Sequence, residues 1–248
     1  MDNNLLAQRA VTCAWQAIQY LPLEIECKGP GDYVTSADRI AGEEILSVLA
    51  SSSIPVLMED SCESVTSSCL WVVDPIDGTA NFMRGDPHWA ISVALWSAGH
   101  PVVAAILAPR LRYRFVAEVG KGAYCYSIKQ LGVSKDRLRD SLVGHPHLKD
   151  YKLQSENDRI LNTVGHIADS VRVCGSAVLG ACFVAMGWWG AYWHPGLKPW
   201  DGAAATLIVR EAGGRVTDLE GEEWGLDKSS FLATNGPITE EILTWIRR

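Results

Sequence analysis

The sequence predicts a layered α/β (α+β) protein, and three observations carry that reading. Strand-length apolar runs and helical apolar periods are mixed in both halves of the chain. Two of the runs, Trp89 to Trp96 and Val102 to Leu107, are joined by Ser97-Ala98-Gly99-His100, a hairpin signature. Trp200, Ala203, Ala204, Leu207, Ile208 and Ala212 recur at helical spacing before Gly213-Gly214, which mark a helix end. Elements that own one apolar face bury it by stacking in layers.

In chain order, Asn3 to Tyr20 reads as a helix with Leu6, Ala10, Cys13, Ala14 and Ala17 on one face. Lys28 to Asp32 is turn-rich. Thr35 then suits the cap of a second helix that carries Ala37, Ile40, Ala41, Ile45, Val48 and Leu49 and ends near Ala50. Ile54 to Met58 and Leu70 to Val73 are short β-type runs, each stopping at acidic residues. After the hairpin comes a strand over Arg114 to Ala117 and a loop-rich stretch from Lys129 to Ser155. Helices follow at Asn157 to Ala168, Ser176 to Met186 and Trp200 to Ala212, with a strand through Trp193 between the last two. Strands Arg215 to Thr217 and Phe231 to Ala233 and a helix over Thr239 to Ile246 close the chain.

At 248 residues, with 48% hydrophobic and 21% charged side chains, the chain reads as one compact domain, 1–248, rather than a disordered or repetitive polymer. Its halves divide near residues 125 and 126. Acidic residues outnumber basic ones, 29 to 22, which argues against a nucleic acid polymer as partner. An anionic ligand would need bound divalent cations to attract it. Seven cysteines without a C-x-x-C spacing read as free thiols of a cytoplasmic protein, and the N-terminus lacks the pattern of a signal peptide. The uncharged run Ala177 to Trp193 is too short and too glycine-rich to span a membrane.

The sharpest local feature is Trp71-Val-Val-Asp74-Pro75-Ile76-Asp77-Gly78-Thr79. An apolar strand runs into a proline that is expected to stop it, so that Asp74 and Asp77 bend toward a common point. Gly78 allows close backbone approach, and Thr79 opens a short helix whose N–H groups can receive phosphate oxygens. The alternative is a turn in which both aspartates cap backbone groups. Glu59 and Asp60 end the preceding strand, and Asp201 opens the strongest helix, where capping is again the plainer role. Four carboxylates in one site would repel by roughly 4 kcal/mol per pair at 4 Å and an effective dielectric of 20. Bound cations make such a cluster tolerable, and hard oxygen ligands select magnesium or calcium. Neither the D-x-D of a haloacid-dehalogenase-type phosphatase nor a P-loop is present.

Asp74-Pro-Ile-Asp-Gly-Thr-Ala-Asn-Phe82, together with Trp200-Asp-Gly-Ala-Ala-Ala-Thr-Leu-Ile-Val-Arg-Glu-Ala-Gly-Gly214, resembles the inositol monophosphatase family of magnesium-dependent, lithium-sensitive phosphatases. The likeness runs from about Gly31 to Ile242 and takes in Asp32 to Asp38, Met58 to Ser61, Gly120 to Tyr124 and Gly175 to Val178. It implies a layered α-β-α-β-α sandwich and two or three Mg²⁺ ions. One ion would be held by Glu59, Asp74 and the Ile76 carbonyl, and a second by Asp74, Asp77 and Asp201. It implies that Asp38 and Thr79 activate the attacking water with Glu59 beside them, and that Gly78, Thr79, Gly175, Ser176, Ala177 and His194 contact substrate. For Asp38 the alternative is a capping box with Thr35. The expected partners are a small phosphate ester and a second copy in a homodimer, without a membrane.

Two departures bear on substrate. A second glutamate common in the family after the third strand is here Asp60. Inositol-specific relatives place a substrate-binding acid seven residues before the metal-binding aspartate, and His194 stands there. It is either a ligand contact or an aromatic packed beside Trp193 and Pro195. Trp188, Trp189, Trp193, Trp200 and Trp224 are candidates for core or for a wall that stacks on a sugar or base. Sugar phosphates, inositol phosphates, 3′-phosphoadenosine 5′-phosphate and histidinol phosphate all fit the resemblance. A non-catalytic metal- or ligand-binding regulator is the alternative of another class.

Overall fold

The computed structural model describes residues 2–21, 24–29, 32–59, 67–126 and 129–247. Helix α1 (Asn3–Ile18) starts where Asp2 Oδ1 accepts the Asn4 and Leu5 N–H groups, at 2.9 and 3.3 Å. A hairpin of β1 (Ile25–Gly29) and β2 (Asp32–Thr35) occupies the segment read as turn-rich and leads into α2 (Ser36–Leu49). Strand β3 (Val56–Met58) runs parallel to β4 (Cys69–Asp77), which is followed by the short α3 (Thr79–Arg84). The antiparallel strands β5 (Ala90–Ser97), β6 (His100–Ala108), β7 (Tyr113–Glu118), β8 (Ala123–Cys125) and β9 (Lys129–Gln130) complete a sheet ordered β3-β4-β5-β6-β7-β8-β9. Ala98 and Gly99 both have positive φ, +52° and +84°, as a two-residue turn between β5 and β6 demands.

The second half contributes β10 (Leu142–Gly144), α4 (Tyr151–Ile160), β11 (Ser170–Arg172), α5 (Ala177–Ala185), β12 (Ala191–His194) and α6 (Pro199–Glu211). It ends with β13 (Arg215–Thr217), β14 (Phe231–Thr234) and α7 (Thr239–Ile246). Its five-stranded sheet is ordered β11-β10-β12-β14-β13.

The strand pleat sorts the core. Trp71 and Val73 face α1 and α2 with Leu6, Ala10, Ile45 and Leu49, whereas Leu70 and Val72 face α5 and α6 with Val178, Phe183, Ala204 and Ile208. Beyond α5 and α6 lie Tyr192, Phe231 and Ala233 of the second sheet. Its far face packs Val143, Trp193 and Leu232 on Ile160, Val164, Ile242 and Ile246. The layers therefore run α-β-α-β-α. Sandwiched between two sheets, α5 is buried nearly all round, which explains its uncharged sequence. No helix among the described residues is long and apolar enough to cross a membrane. The motif ending in Gly214 also reaches the first sheet, because Glu211 accepts the Gly120 and Gly122 N–H groups at 2.9 and 2.8 Å.

Three sequence expectations are corrected. Pro75 does not stop the strand, since β4 continues to Asp77. Residues 129–155 are less loop-rich than expected, holding β9, β10 and the start of α4. That helix begins six residues before Asn157, because Asp150 Oδ1 accepts the Lys152 and Leu153 N–H groups at 2.8 and 3.0 Å.

Candidate active site

Strand β4 passes through Pro75 because β3 has ended. The last β3 pairing is Met58 with Val73, so beyond it Pro75 lies on an edge where its missing N–H costs no ladder bond. On the other side, Asp74 pairs with Ser92 and Asp77 with Ala90, so that Pro75 and Ile76 lie opposite Ile91 alone. This bulge bends β4 and re-aims its side chains, which lets Asp74 and Asp77 turn toward one point. The Ile76 N–H donates to Asp74 Oδ1 at 3.0 Å.

From the other half of the chain, Asp201 enters in the first turn of α6. Each of Asp74, Asp77 and Asp201 offers an oxygen within 4.8 Å of the others. Asp201 Oδ2 also accepts the Lys198 N–H at 3.4 Å, so the capping role and cluster membership coexist. Asp77 accepts the Ser176 hydroxyl and the first N–H groups of α5, those of Ala177 at 3.2 Å and Val178 at 3.0 Å.

Electrostatically the cluster is strained. Burial, then the charges of Asp201, Glu59 and Asp77, lift Asp74 well above the usual carboxylate range. Burial, followed by the charges of Asp77 and Glu59, pushes Asp201 up to about 8. Burial raises Asp77 to about 6 even against its three hydrogen bonds. Glu59 lies outside the close trio but near enough for its charge to act on two of its members. Asp60 falls outside the described residues.

Asp38 and Thr79 meet beside the cluster. The Thr79 hydroxyl lies 3.4 Å from Asp38 Oδ1 and 3.1 Å from the Ile76 carbonyl. Asp38 Oδ2 accepts the Thr35 N–H and hydroxyl at 2.7 and 2.6 Å, so its capping box is present as well. Burial raises the Asp38 carboxyl against these bonds. Gly78 is required twice over: its φ is +88°, and a Cβ there would sit 3.0 Å from the His88 carbonyl and 3.2 Å from that of Gly175. Asn81, quoted in the motif but given no role by sequence reasoning, donates through Nδ2 to the His88 and Cys174 carbonyls at 2.6 and 2.7 Å. Its signal was its place two residues after Thr79.

Gly175, Ser176, Ala177 and His194 line a cavity of about 160 Å³ together with Asp77 and Asp201. His147, Pro146, Leu148 and Tyr192 complete the wall, and no sequence signal marked them. His194 is buried yet faces the cavity, while its neighbour Trp193 points the other way and stacks on His145 at 5.4 Å. Burial pushes His194 down to about 4, and the Gly196 N–H donates to its Nδ1 at 3.1 Å. The ring is therefore neutral at pH 7, with the proton assigned to Nε2. The tryptophan expectation resolves mainly to core: Trp193 and Trp224 are fully buried, and Trp188 stacks on Phe183 at the surface. An oxygen-only, all-acidic donor set fits a hard divalent cation.

Fold and site together define a layered α/β enzyme with an acidic centre assembled from both halves. The sequence profile of the inositol monophosphatase family matches residues 3–248, and the chain belongs to that metal-dependent family of phosphoric monoester hydrolases. It is 36% identical to an inositol-1-monophosphatase of Mesorhizobium japonicum over 233 residues, 91% of this chain and 87% of that protein. It is 34% identical to Nus factor SuhB of Haemophilus influenzae, over 91% of this chain and 86% of the relative. Among solved structures it resembles the extragenic suppressor protein SuhB of Bartonella henselae, with a TM-score of 0.87 and 33% identity over 98% of this chain and 96% of that one.

The raised carboxyls make a pH prediction for the metal-free protein. Above about pH 7.5 His194 is neutral folded and unfolded, whereas Asp201 at about 8 and Asp74 still hold protons that the unfolded chain has released. That stability is present at low pH and lost as pH rises through 8. The melting temperature in EDTA should fall between pH 7.5 and 9, and Asp201→Asn should flatten the fall. A melting temperature that rises over this range would contradict the electrostatics.

Proposed function

We propose that this protein is a Mg²⁺-dependent phosphomonoesterase acting on a small phosphorylated metabolite. The observation that carries the reading is the convergence of three carboxylates within 4.8 Å, two buried and one half-buried, where burial and the charges of neighbouring acids both raise Asp74. Glu59, Asp74 and the Ile76 carbonyl would hold one ion, and Asp74, Asp77 and Asp201 a second, with a third ion weaker. When bound, such ions neutralise charge on the phosphoryl oxygens and make water easier to deprotonate.

The chain's own residues do the rest. The Thr79 hydroxyl donates to Asp38 Oδ1 and so turns a lone pair outward to accept a proton from the attacking water as its own hydrogen passes on. Asp38, whose pKa burial raises, takes up that proton through Thr79. The Gly78 and Thr79 N–H groups receive the phosphate oxygens, and Gly175, Ser176 and Ala177 form the wall beside them. Asp201 joins the two halves of the domain at the reaction centre. Exposed Val173 and Trp188 support a homodimer that covers them, and the free thiols suit the cytoplasm.

The leaving group meets His194. Burial of this ring works against a cationic imidazole, the form that would favour a second anion on the ligand. A neutral imidazole whose Nδ1 is already occupied offers one donor, where a carboxylate would accept from two vicinal hydroxyls. Myo-inositol 1-phosphate is therefore not the best substrate in this reading. A sugar phosphate, or a phosphorylated nucleoside or amino-alcohol such as 3′-phosphoadenosine 5′-phosphate or histidinol phosphate, gives higher kcat/KM. Release of phosphate from a panel of these esters, with Mg²⁺ and with EDTA, tests the assignment. The regulator alternative requires no turnover of any of them.

Two variants sharpen the test. Thr79→Ala should lower kcat about 10²-fold with metal binding preserved, whereas a purely capping role would lower the melting temperature and leave kcat nearly intact. His194→Glu should move the ratio of kcat/KM values toward inositol 1-phosphate by about tenfold, equivalent to roughly 1.4 kcal/mol. Because a ratio is read, a general loss of activity cancels. Wild-type preference for inositol 1-phosphate over the whole panel would refute the role given to His194.

A further inference from the structure

Asp77 is held differently from the other two aspartates of the cluster. Its Oδ2 accepts both the Ser176 hydroxyl and the Val178 N–H, while its Oδ1 accepts the Ala177 N–H at the longer distance of 3.2 Å. Two donors saturate Oδ2, and Oδ1 keeps a lone pair for the centre of the cluster. The Ser176 hydroxyl has its only hydrogen committed to Asp77, and it accepts the Leu179 N–H at 3.1 Å. At 2% exposure it has no hydrogen left to offer a ligand.

The turn that carries Ser176 is in turn fixed to α3. Gly175 has a φ of +75°, and a Cβ there would lie 2.8 Å from Asn81 Nδ2. Asn81 spends its amide hydrogens on the carbonyls of Cys174 and His88. Thr79, two residues before Asn81 on the same helix, therefore keeps its place relative to the donors that aim Asp77.

We propose that Ser176 and Asn81 are positioning residues for the cation site, Ser176 by fixing the orientation of Asp77 and Asn81 by anchoring the turn that bears Ser176. The proposal rests on reading Asp74, Asp77 and Asp201 as a cation site. It moves the Ser176 hydroxyl from substrate contact to support of a ligand, and outer partners of this kind are typically worth 10- to 100-fold in metal affinity or activity.

Mn²⁺ binding to the metal-free full-length protein, followed by calorimetry, tests it alongside KM and kcat measured against Mg²⁺ concentration. Ser176→Ala should weaken Mn²⁺ binding about tenfold and raise by a similar factor the Mg²⁺ concentration needed for half-maximal rate, with Ser176→Thr restoring both. Ser176→Ala also removes a helix cap, so Asn81→Ala is the second variant. It keeps that cap and touches no aspartate of the cluster, and it should still weaken Mn²⁺ binding, by less. Unchanged Mn²⁺ affinity in both alanine variants would overturn the proposal, as would a raised KM at saturating Mg²⁺ with metal affinity intact. Wild-type protein that binds no Mn²⁺ would instead overturn the cation site on which the proposal stands.

Discussion

Mutual repulsion among Asp74, Asp77 and Asp201, the first two buried and the third half-buried, is the constraint around which this structure is arranged. Carboxylates brought together in this way either hold protons or surround a cation. The raised values of all three show how far the metal-free cluster leans toward the first option. Each aspartate is also tied to backbone N–H groups, of Ile76, of Ala177 and Val178, and of Lys198. The carboxylates are thus held in place by donors that do not neutralise them.

The layered fold supplies the means. A sheet buried on both faces gives β4 a rigid base, and the bulge at its end turns Asp74 and Asp77 out of the regular pleat. Helices α5 and α6, packed between the two sheets, bring their first turns to the same point, one aimed at Asp77 and the other carrying Asp201. Close approach of the backbone at Gly78 and Gly175 closes the gap between the halves. Asp38 and Asp201 both make the bonds of helix caps, while Asp201 also joins the acidic cluster and Asp38 meets Thr79, so capping and proximity to the site coexist.

Much of this was legible in the sequence, because the acidic residues sit at places where elements begin or end. The T-x-x-D start of α2, the D-P-I-D-G-T turn and the W-D-G start of α6 carry their signals within a few residues. Less legible was whatever depends on partners distant in sequence. Nothing local reveals that β3 ends in time for Pro75 to stay in a strand, or that Asp150 starts α4 early. Short strands such as β8, β10 and β11 have too few residues for an alternation to register. The tryptophans were ambiguous for the same reason: Trp193 and Trp224 fill core, whereas His194, next to one of them, faces the cavity because strand β12 alternates.

The most direct test of the cation-centred account is anomalous diffraction from crystals of the full-length protein grown with millimolar Mn²⁺. An anomalous peak within coordination distance of oxygens from Asp74, Asp77 and Asp201 is the expected result, with all three carboxylates ionised around it. Density among the three aspartates that shows no anomalous signal, with manganese found only at surface acids such as Glu118 or Asp86, would contradict it.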